Sequence, residues 1–187
     1  RIKIIYKLNP LFMEDQKLTT GKVALTYGGL LGLLTIILAV VLYVTNNLLE
    51  QSWITAVVSF LIMIGCISYG QKVFRNGNGG YMDLKDALKV GVGIALIGAI
   101  IGALYNYIFL TVIEPGFTEL IIEKQREAMI TTQPNMTEAQ IDQAVEFAGK
   151  FAQPWVQSSF QIVAGIFFGF IISLISGLIL KRNNPHQ

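Results

Sequence analysis

The sequence predicts an all-α polytopic membrane protein with four transmembrane helices and a helical extracytoplasmic loop. Of the 187 residues, 53% are hydrophobic and 14% are charged, whereas a soluble domain has about 25% charged residues. The charges are also unevenly distributed. Residues 23–71 contain one charged residue, Glu50, and residues 90–113 and 151–180 contain none. A helix needs about 20 apolar residues to cross a hydrocarbon layer of ~30 Å, so these runs predict membrane spans.

The predicted transmembrane domain covers residues 13–187, and residues 1–12 are interpreted as an upstream extension before an initiator Met13. Because lipid offers no hydrogen bonds to the backbone, the spans are expected to be helices. The strict alternation of polar and apolar residues in a membrane barrel is absent. The predicted spans are residues 23–45, 53–74, 87–112 and 155–180, with an outer loop at residues 113–154.

The distribution of lysine and arginine predicts the orientation of the spans. Basic residues flank the first span, the second loop and the end of the fourth span, whereas the outer loop is rich in glutamate. Both termini are therefore expected in the cytoplasm, and the expected location is the bacterial inner membrane. The basic residues behind this prediction are Lys17, Lys22, Lys72, Arg75, Lys85, Lys89, Lys181 and Arg182.

The outer loop is expected to contain two helices that form a cap. The first begins near Pro115 and ends at about Ile130. The second begins at Thr137, where a threonine followed three residues later by Gln140 is typical of a capping box. Asp83 has the same role in the third span, because aspartate is a preferred N-cap residue.

Small residues recur at intervals of four in three of the spans, which places them on one face of each helix. Helices in lipid pack closely where small residues let their backbones approach. This pattern predicts that the third and fourth spans form a tight pair. The predicted packing residues are Gly28, Gly32, Gly91, Ala95, Gly98, Ala99, Gly102, Gly165, Gly169, Ser173 and Gly177.

Two amides, Asn106 and Gln161, are singled out within the spans, at similar depths below the outer interface. An amide without a partner in an apolar environment costs several kcal/mol, so we expect them to bond to each other or to a hydroxyl. The favoured interpretation is a contact that joins two helices. The alternative is the polar lining of a small-molecule site.

No pattern of residues predicts catalysis, a metal site or a cofactor. Cys66 is the only cysteine, which excludes a disulfide or a thiolate cluster within one chain. The net charge of +2 and the lack of a basic patch argue against nucleic-acid binding. We therefore expect a non-enzymatic protein with no cofactor, whose surroundings are the lipid bilayer.

Four segments, among them the tyrosine-rich outer end of the third span, resemble a family of bacterial membrane proteins grouped as domain of unknown function 4199 (DUF4199). One is the start of the third span, Gly79-Gly-Tyr-Met-Asp-Leu-Lys-Asp-Ala-Leu-Lys-Val-Gly91, and another is the ending from Gly169 to Arg182. A further one is the outer helical loop, rich in lysine and glutamate. The resemblance implies a four-span inner-membrane protein of unknown function, without catalytic residues to carry over.

The leading functional hypothesis is a structural or interaction protein, either an accessory subunit of a membrane-protein partner or a homo-oligomer. The alternative is a small transporter or channel, with a route lined by Asn106, Gln161, Tyr105 and Tyr107. A membrane enzyme is the third hypothesis. It is disfavoured because acid–base catalysis needs groups within hydrogen-bond reach of each other, and the charged residues lie in the loops.

Overall fold

The computed structural model describes residues 18–49 and 52–182, so the predicted extension at residues 1–12 lies outside it. Within the described residues the chain forms six α-helices, and a π-helical turn, Phe109–Ile113, continues the third. The helices are α1 (Thr20–Val44), α2 (Trp53–Gly77), α3 (Leu84–Ile108), α4 (Phe117–Thr132), α5 (Glu138–Phe151) and α6 (Pro154–Leu180).

Within the described ranges, four helices are long and apolar enough to cross a bilayer: α1, α2, α6, and α3 with its π-helical turn. The predicted all-α fold with four spans is confirmed, and it indicates a multi-pass membrane protein. Each span ends within three residues of its predicted limit. The limits were predictable because a charged or turn-forming residue stands near each helix end.

The predicted helix starts are present in the structure. The Asp83 carboxylate accepts a hydrogen bond of 2.6 Å from the backbone N–H of Asp86 at the start of α3. Thr137 and Gln140 form the reciprocal capping box of α5. Pro154 is in the first turn of α6, where its missing N–H leaves no helical bond unmade. These signals act within a few residues, so the sequence alone revealed them.

The third helix is the centre of the bundle, with α1 packed along one side and α6 along the other. Glycine residues allow the helix backbones to approach closely at both contacts. A Cβ added to Gly28 of α1 would lie 2.7 Å from the Ile97 Cβ of α3. One added to Gly165 of α6 would lie 2.8 Å from the Ala99 Cβ. The backbones of α3 and α6 therefore approach closely, as the small-residue pattern predicted.

The other predicted packing residues also lie in contacts between helices of this chain. Their small-residue faces are therefore occupied within the chain itself. The remaining contacts are Gly32 with Ile101, Gly98 with Leu31, Gly102 with Gln161, Gly169 with Ala95, Gly177 with Ala87, and Gly91 with Ser173 and Gln71.

The two ends of the bundle differ. At one end, here called the terminal end, Met82 and Arg182 exchange backbone hydrogen bonds of 3.0 and 2.8 Å. At the other, the cap end, α4 and α5 form a helical hairpin. Arg126 on α4 joins the two helices through an ion pair of 2.6 Å with Asp142 on α5. The cap predicted from the outer loop is thus present as a hairpin.

The second helix packs against the bundle mainly over its terminal half. Its buried residues begin at Cys66 and end at Phe74. In the cap half, Trp53 is 75% exposed and Leu61 is 60% exposed. The cap half of α2 is therefore less closely packed against the bundle than its terminal half.

Candidate functional site

The two amides singled out from the sequence lie at the same depth and face the same cavity. Asn106 precedes the last residue of the π-helical turn, Ile113, by seven residues, and Gln161 follows the first residue of α6, Pro154, by seven. At 1.5 Å per residue each is about 10 Å from the cap end. We call the shared space of about 260 Å³ the cap cavity.

The cap cavity is enclosed by α1, α3, α6 and the start of α4. Its polar lining residues are Thr35, Tyr105, Asn106, Gln157 and Gln161. Its apolar lining includes Phe109, Leu110, Phe117 and Ile121. Tyr107, which the sequence placed on the same route, does not line it, and its side chain is 45% exposed.

Aromatic side chains close the cap end of the cavity, and we call them the aromatic lid: Tyr43, Tyr105, Phe109 and Phe117. The Phe109 ring is central, with ring centroids 5.2 Å from Tyr43 and 5.4 Å from Phe117, both edge-on. The Tyr43 hydroxyl donates a hydrogen bond of 2.7 Å to the Glu114 carboxylate. The lid thereby ties α1 to the segment that leads into α4.

The π-helical turn places Phe109 and Leu110 in this lid. Both are buried, with 4% exposure each. A π-helical turn widens the helix and shifts the side chains that follow it, and such turns are frequent at functional sites. The sequence gives no local signal for this turn, because nothing in residues 109–113 requires a bond to the fifth preceding residue.

The hydrogen bond expected between Asn106 and Gln161 is not made. In the part of the chain that the structure describes, neither side chain has a hydrogen-bond partner, although Gln161 lies close enough to fill the space left by Gly102. A Cβ on Gly102 would lie 2.8 Å from the Gln161 Nε2. Both amides line the cap cavity.

The lining is polar but uncharged. Among the described residues around the cavity, none is a carboxylate, an amine, a guanidinium, an imidazole or a thiol. Gln157 is partly satisfied, because its Nε2 donates a hydrogen bond of 2.7 Å to the Ala152 carbonyl. The cavity therefore offers amide donors and acceptors beside aromatic surface. This chemistry suits binding of an uncharged molecule more than proton transfer.

A second space, the lateral groove, adjoins the cap cavity on the side of α6. It has a volume of about 650 Å³ and shares Asn106, Gln157 and Gln161 with the cavity. Its other walls include Phe160 and Val163, which are 72% and 65% exposed on the surface of the bundle. The amides thus stand where an internal cavity meets a groove on the apolar surface.

The terminal half holds a polar cluster that the sequence interpretation missed, here called the polar lock: Gln71, Ser173 and Ser176. The Gln71 Nε2 donates hydrogen bonds of 3.0 Å to the Ala87 carbonyl and 3.0 Å to the Ser173 hydroxyl. The Ser176 hydroxyl donates one of 2.5 Å to the Gln71 Oε1. These bonds join α2, α3 and α6 across a fully buried site.

A signal for the polar lock was present in the sequence. Ser173 and Ser176 are three residues apart and share a helical face. Gln71 lies near the corresponding end of α2, but it precedes Lys72 and resembles a residue that faces the headgroups.

The packed polar lock fills the centre of the terminal half, whereas the cap half contains the cap cavity. The cap cavity adjoins the lateral groove on the flank formed by α6.

The sequence model of a family described as "Protein of unknown function (DUF4199)" matches residues 26–182. That match includes all of α2, α3, α4, α5 and α6 and most of α1. Searches of curated proteins and of solved structures found no match.

Proposed function

Because the chain belongs to the DUF4199 family, whose function is unknown, we propose its function from its own geometry. It is a non-enzymatic membrane protein that binds a small uncharged molecule in the cap cavity. Asn106 and Gln161 hold this molecule by hydrogen bonds, and the aromatic lid covers it.

The observation that supports this proposal is the pair of amides that face one cavity without a hydrogen-bond partner among the described residues. An amide in an apolar environment costs roughly 1–3 kcal/mol when it makes no hydrogen bond. Two such groups at the same depth, about 10 Å inside the helix ends, would weaken the bundle unless something bonds to them. A bound molecule with hydroxyl or carbonyl groups removes this cost for both.

Transport through the protein is the second candidate, and it is favoured by a further cavity of about 190 Å³. Thr35 and Gln161 line both this space and the cap cavity, and it continues to Ala95 and Gly98 in the middle of α3. A route that continues from there must pass the polar lock. A carrier of this kind would have to separate Gln71 from Ser173 in each cycle.

An accessory or interaction role, alone or as a homo-oligomer, remains a proposal. The small-residue faces that motivated it are occupied by contacts within the chain, such as Gly28 against Ile97. A protein partner would therefore bind elsewhere on the bundle. The bacterial inner membrane is proposed as the location, with both termini in the cytoplasm, on the basis of the basic residues at the terminal end.

The experiment that tests ligand binding uses the water-soluble probe 1-hexanoylglycerol, which carries two hydroxyls and an ester carbonyl. Saturation-transfer NMR with the full chain in detergent should detect binding that the aromatic lid mediates. In Asn106→Leu and Gln161→Leu, Kd should rise roughly three- to tenfold each, because an uncharged hydrogen bond contributes about 0.5–1.5 kcal/mol.

The matched control is Gln143→Leu, since Gln143 is an exposed amide on α5, away from the cavity. It should leave Kd unchanged. The proposal is wrong if the probe does not bind, or if all three variants bind it equally. Each variant is checked for an unchanged elution volume and helical circular dichroism before its binding is measured.

A further inference from the structure

We infer that the ligand is a neutral amphiphile that enters from the bilayer, with its polar group in the cap cavity and its hydrocarbon chain in the lateral groove. This inference rests on the proposed function. It adds the class of ligand and the direction from which it arrives.

The first argument is that the cavity and the groove adjoin each other at the same three amide side chains. Asn106, Gln157 and Gln161 line both of them. A molecule bonded to these amides therefore has the enclosed, lid-covered space on one side and the groove on the other. A compact polar solute would fill the first space only, whereas an amphiphile fills both.

The second argument is the nature of the groove walls. Phe160 and Val163 lie on the same apolar helix that is predicted to span the membrane, and both are largely exposed on its surface. In a bilayer this surface faces acyl chains. A hydrocarbon chain in the groove would thus remain in hydrocarbon, and the polar group would leave the interface only to reach the amides.

The third argument is charge. None of the described residues that line the cavity or the groove carries a formal charge. An anionic headgroup in this space would lose its hydration without gaining a cation, which is very costly in an apolar environment. Hydroxyl and ester groups fit instead, because each amide offers both donors and an acceptor. Acylglycerols have this chemistry.

The test compares acylglycerols of different chain length on the full chain in detergent. A photoreactive diazirine analogue of 1-oleoylglycerol is bound first, and unlabelled competitors displace it. Each methylene that is buried in the groove should tighten binding roughly fourfold at most, so 1-oleoylglycerol should compete at least tenfold better than 1-hexanoylglycerol. Phosphatidylglycerol should compete poorly. Mass spectrometry should locate the label on residues of the groove.

Two substitutions test the groove itself. Val163→Trp fills it and Phe160→Ala removes one wall, so each should weaken 1-oleoylglycerol binding by roughly tenfold, the effect of about two methylenes. Both should leave 1-hexanoylglycerol binding within about twofold, since it needs mainly the cavity. The matched control is Ile175→Trp, a change at an exposed residue of α6 outside the groove.

The outcomes separate this inference from the proposed function. If 1-hexanoylglycerol binds but 1-oleoylglycerol binds no better, the ligand does not use the groove and the inference is overturned. Equal competition by phosphatidylglycerol, or no effect of Val163→Trp and Phe160→Ala, also overturns it. In each of these cases the proposed function still stands. If neither acylglycerol binds, both are wrong.

Discussion

At Gln71 a polar side chain is fully buried in a span, with 0% exposure, although the next residue is the exposed Lys72. The side chain avoids the cost of burial because both ends of the amide are bonded. Its nitrogen donates to the Ala87 carbonyl on α3 and to Ser173 on α6. One residue therefore fixes the relative position of three helices.

Replacing Gln71 with leucine should lower the free energy of unfolding by about 1–3 kcal/mol, because it removes several interhelical hydrogen bonds and leaves Ser176 without its acceptor. Ser176→Ala should have a smaller effect. Since the two side chains bond to each other, the double variant should lose less than the two single losses together. Unfolding of the full chain in mixed micelles measures all three values.

The matched control is Ser59→Ala on the same helix, since among the described residues the Ser59 hydroxyl bonds only to the Thr55 carbonyl of α2. The decrease in the free energy of unfolding that Ser59→Ala causes should be additive with the decrease that Gln71→Leu causes. Strict additivity for Gln71→Leu and Ser176→Ala would contradict the role given to the polar lock.

Single residues differ in how far the sequence revealed their roles. The caps at Asp83 and Thr137 were predictable because donor and acceptor are three residues apart. The depth of Asn106 and Gln161 was also predictable, but the predicted bond between them was wrong. Whether two side chains on different helices meet depends on helix rotation, which the sequence does not encode locally.

Neighbouring glycines in α1 show how a helix presents different faces. Gly28 is pressed against α3, where an added Cβ would lie 2.9 Å from the Ile94 carbonyl oxygen. Around Gly29 there is nothing within 4 Å of the same added atom. The face of α1 that carries Gly28 and Gly32 therefore packs against α3, whereas Gly29 lies outside this face.

Gly28→Ala should therefore lower the free energy of unfolding by about 1–3 kcal/mol, the usual effect of overpacking a close contact. Gly29→Ala is the control. It should be neutral or stabilising by up to about 1 kcal/mol, since alanine favours the helix more than glycine does. Thermal unfolding in one detergent gives the comparison, and an equal effect of the two substitutions would refute this packing of α1 on α3.

Whole helices were predictable because their limits depend on charge and turn residues, as at Asn46-Asn47 after α1. The π-helical turn was not predictable, because Phe109 packs against Tyr43 and Phe117, which lie on other elements. The partial packing of α2 was not predictable either. Its cap half is more apolar than its terminal half, which carries Gln71, Lys72 and Arg75, and in lipid an apolar helix surface gains little from contact with another helix rather than with acyl chains.

Over the whole molecule, charge is separated between the two ends of the bundle. Among the described residues, the terminal end is basic, with Lys72, Arg75, Lys85 and Lys89 near it. The cap end is acidic, since glutamates predominate on α4 and α5. Basic residues are retained on the cytoplasmic side of membranes, so the terminal end is proposed to face the cytoplasm.

This orientation predicts a labelling pattern for single cysteines introduced after Cys66→Ser. In spheroplasts, a membrane-impermeant maleimide should label Gln143→Cys on α5 but not Lys85→Cys at the terminal end, although both positions are exposed. After detergent lysis both should be labelled, which controls for reactivity. The reverse pattern in intact spheroplasts would place both termini outside the cytoplasm.

The polar lock also determines when the fold can be completed during synthesis. A nascent chain that has inserted α1, α2 and α3 contains Gln71, but the serines that bond to it are a hundred residues further along the chain. Until α6 enters the bilayer, the amide has its bond to the Ala87 carbonyl on α3, but its oxygen and its second N–H lack their serine partners. Chains that stop before Ser173 would therefore carry a partly unsatisfied amide within the membrane, where an unpaired polar group costs free energy.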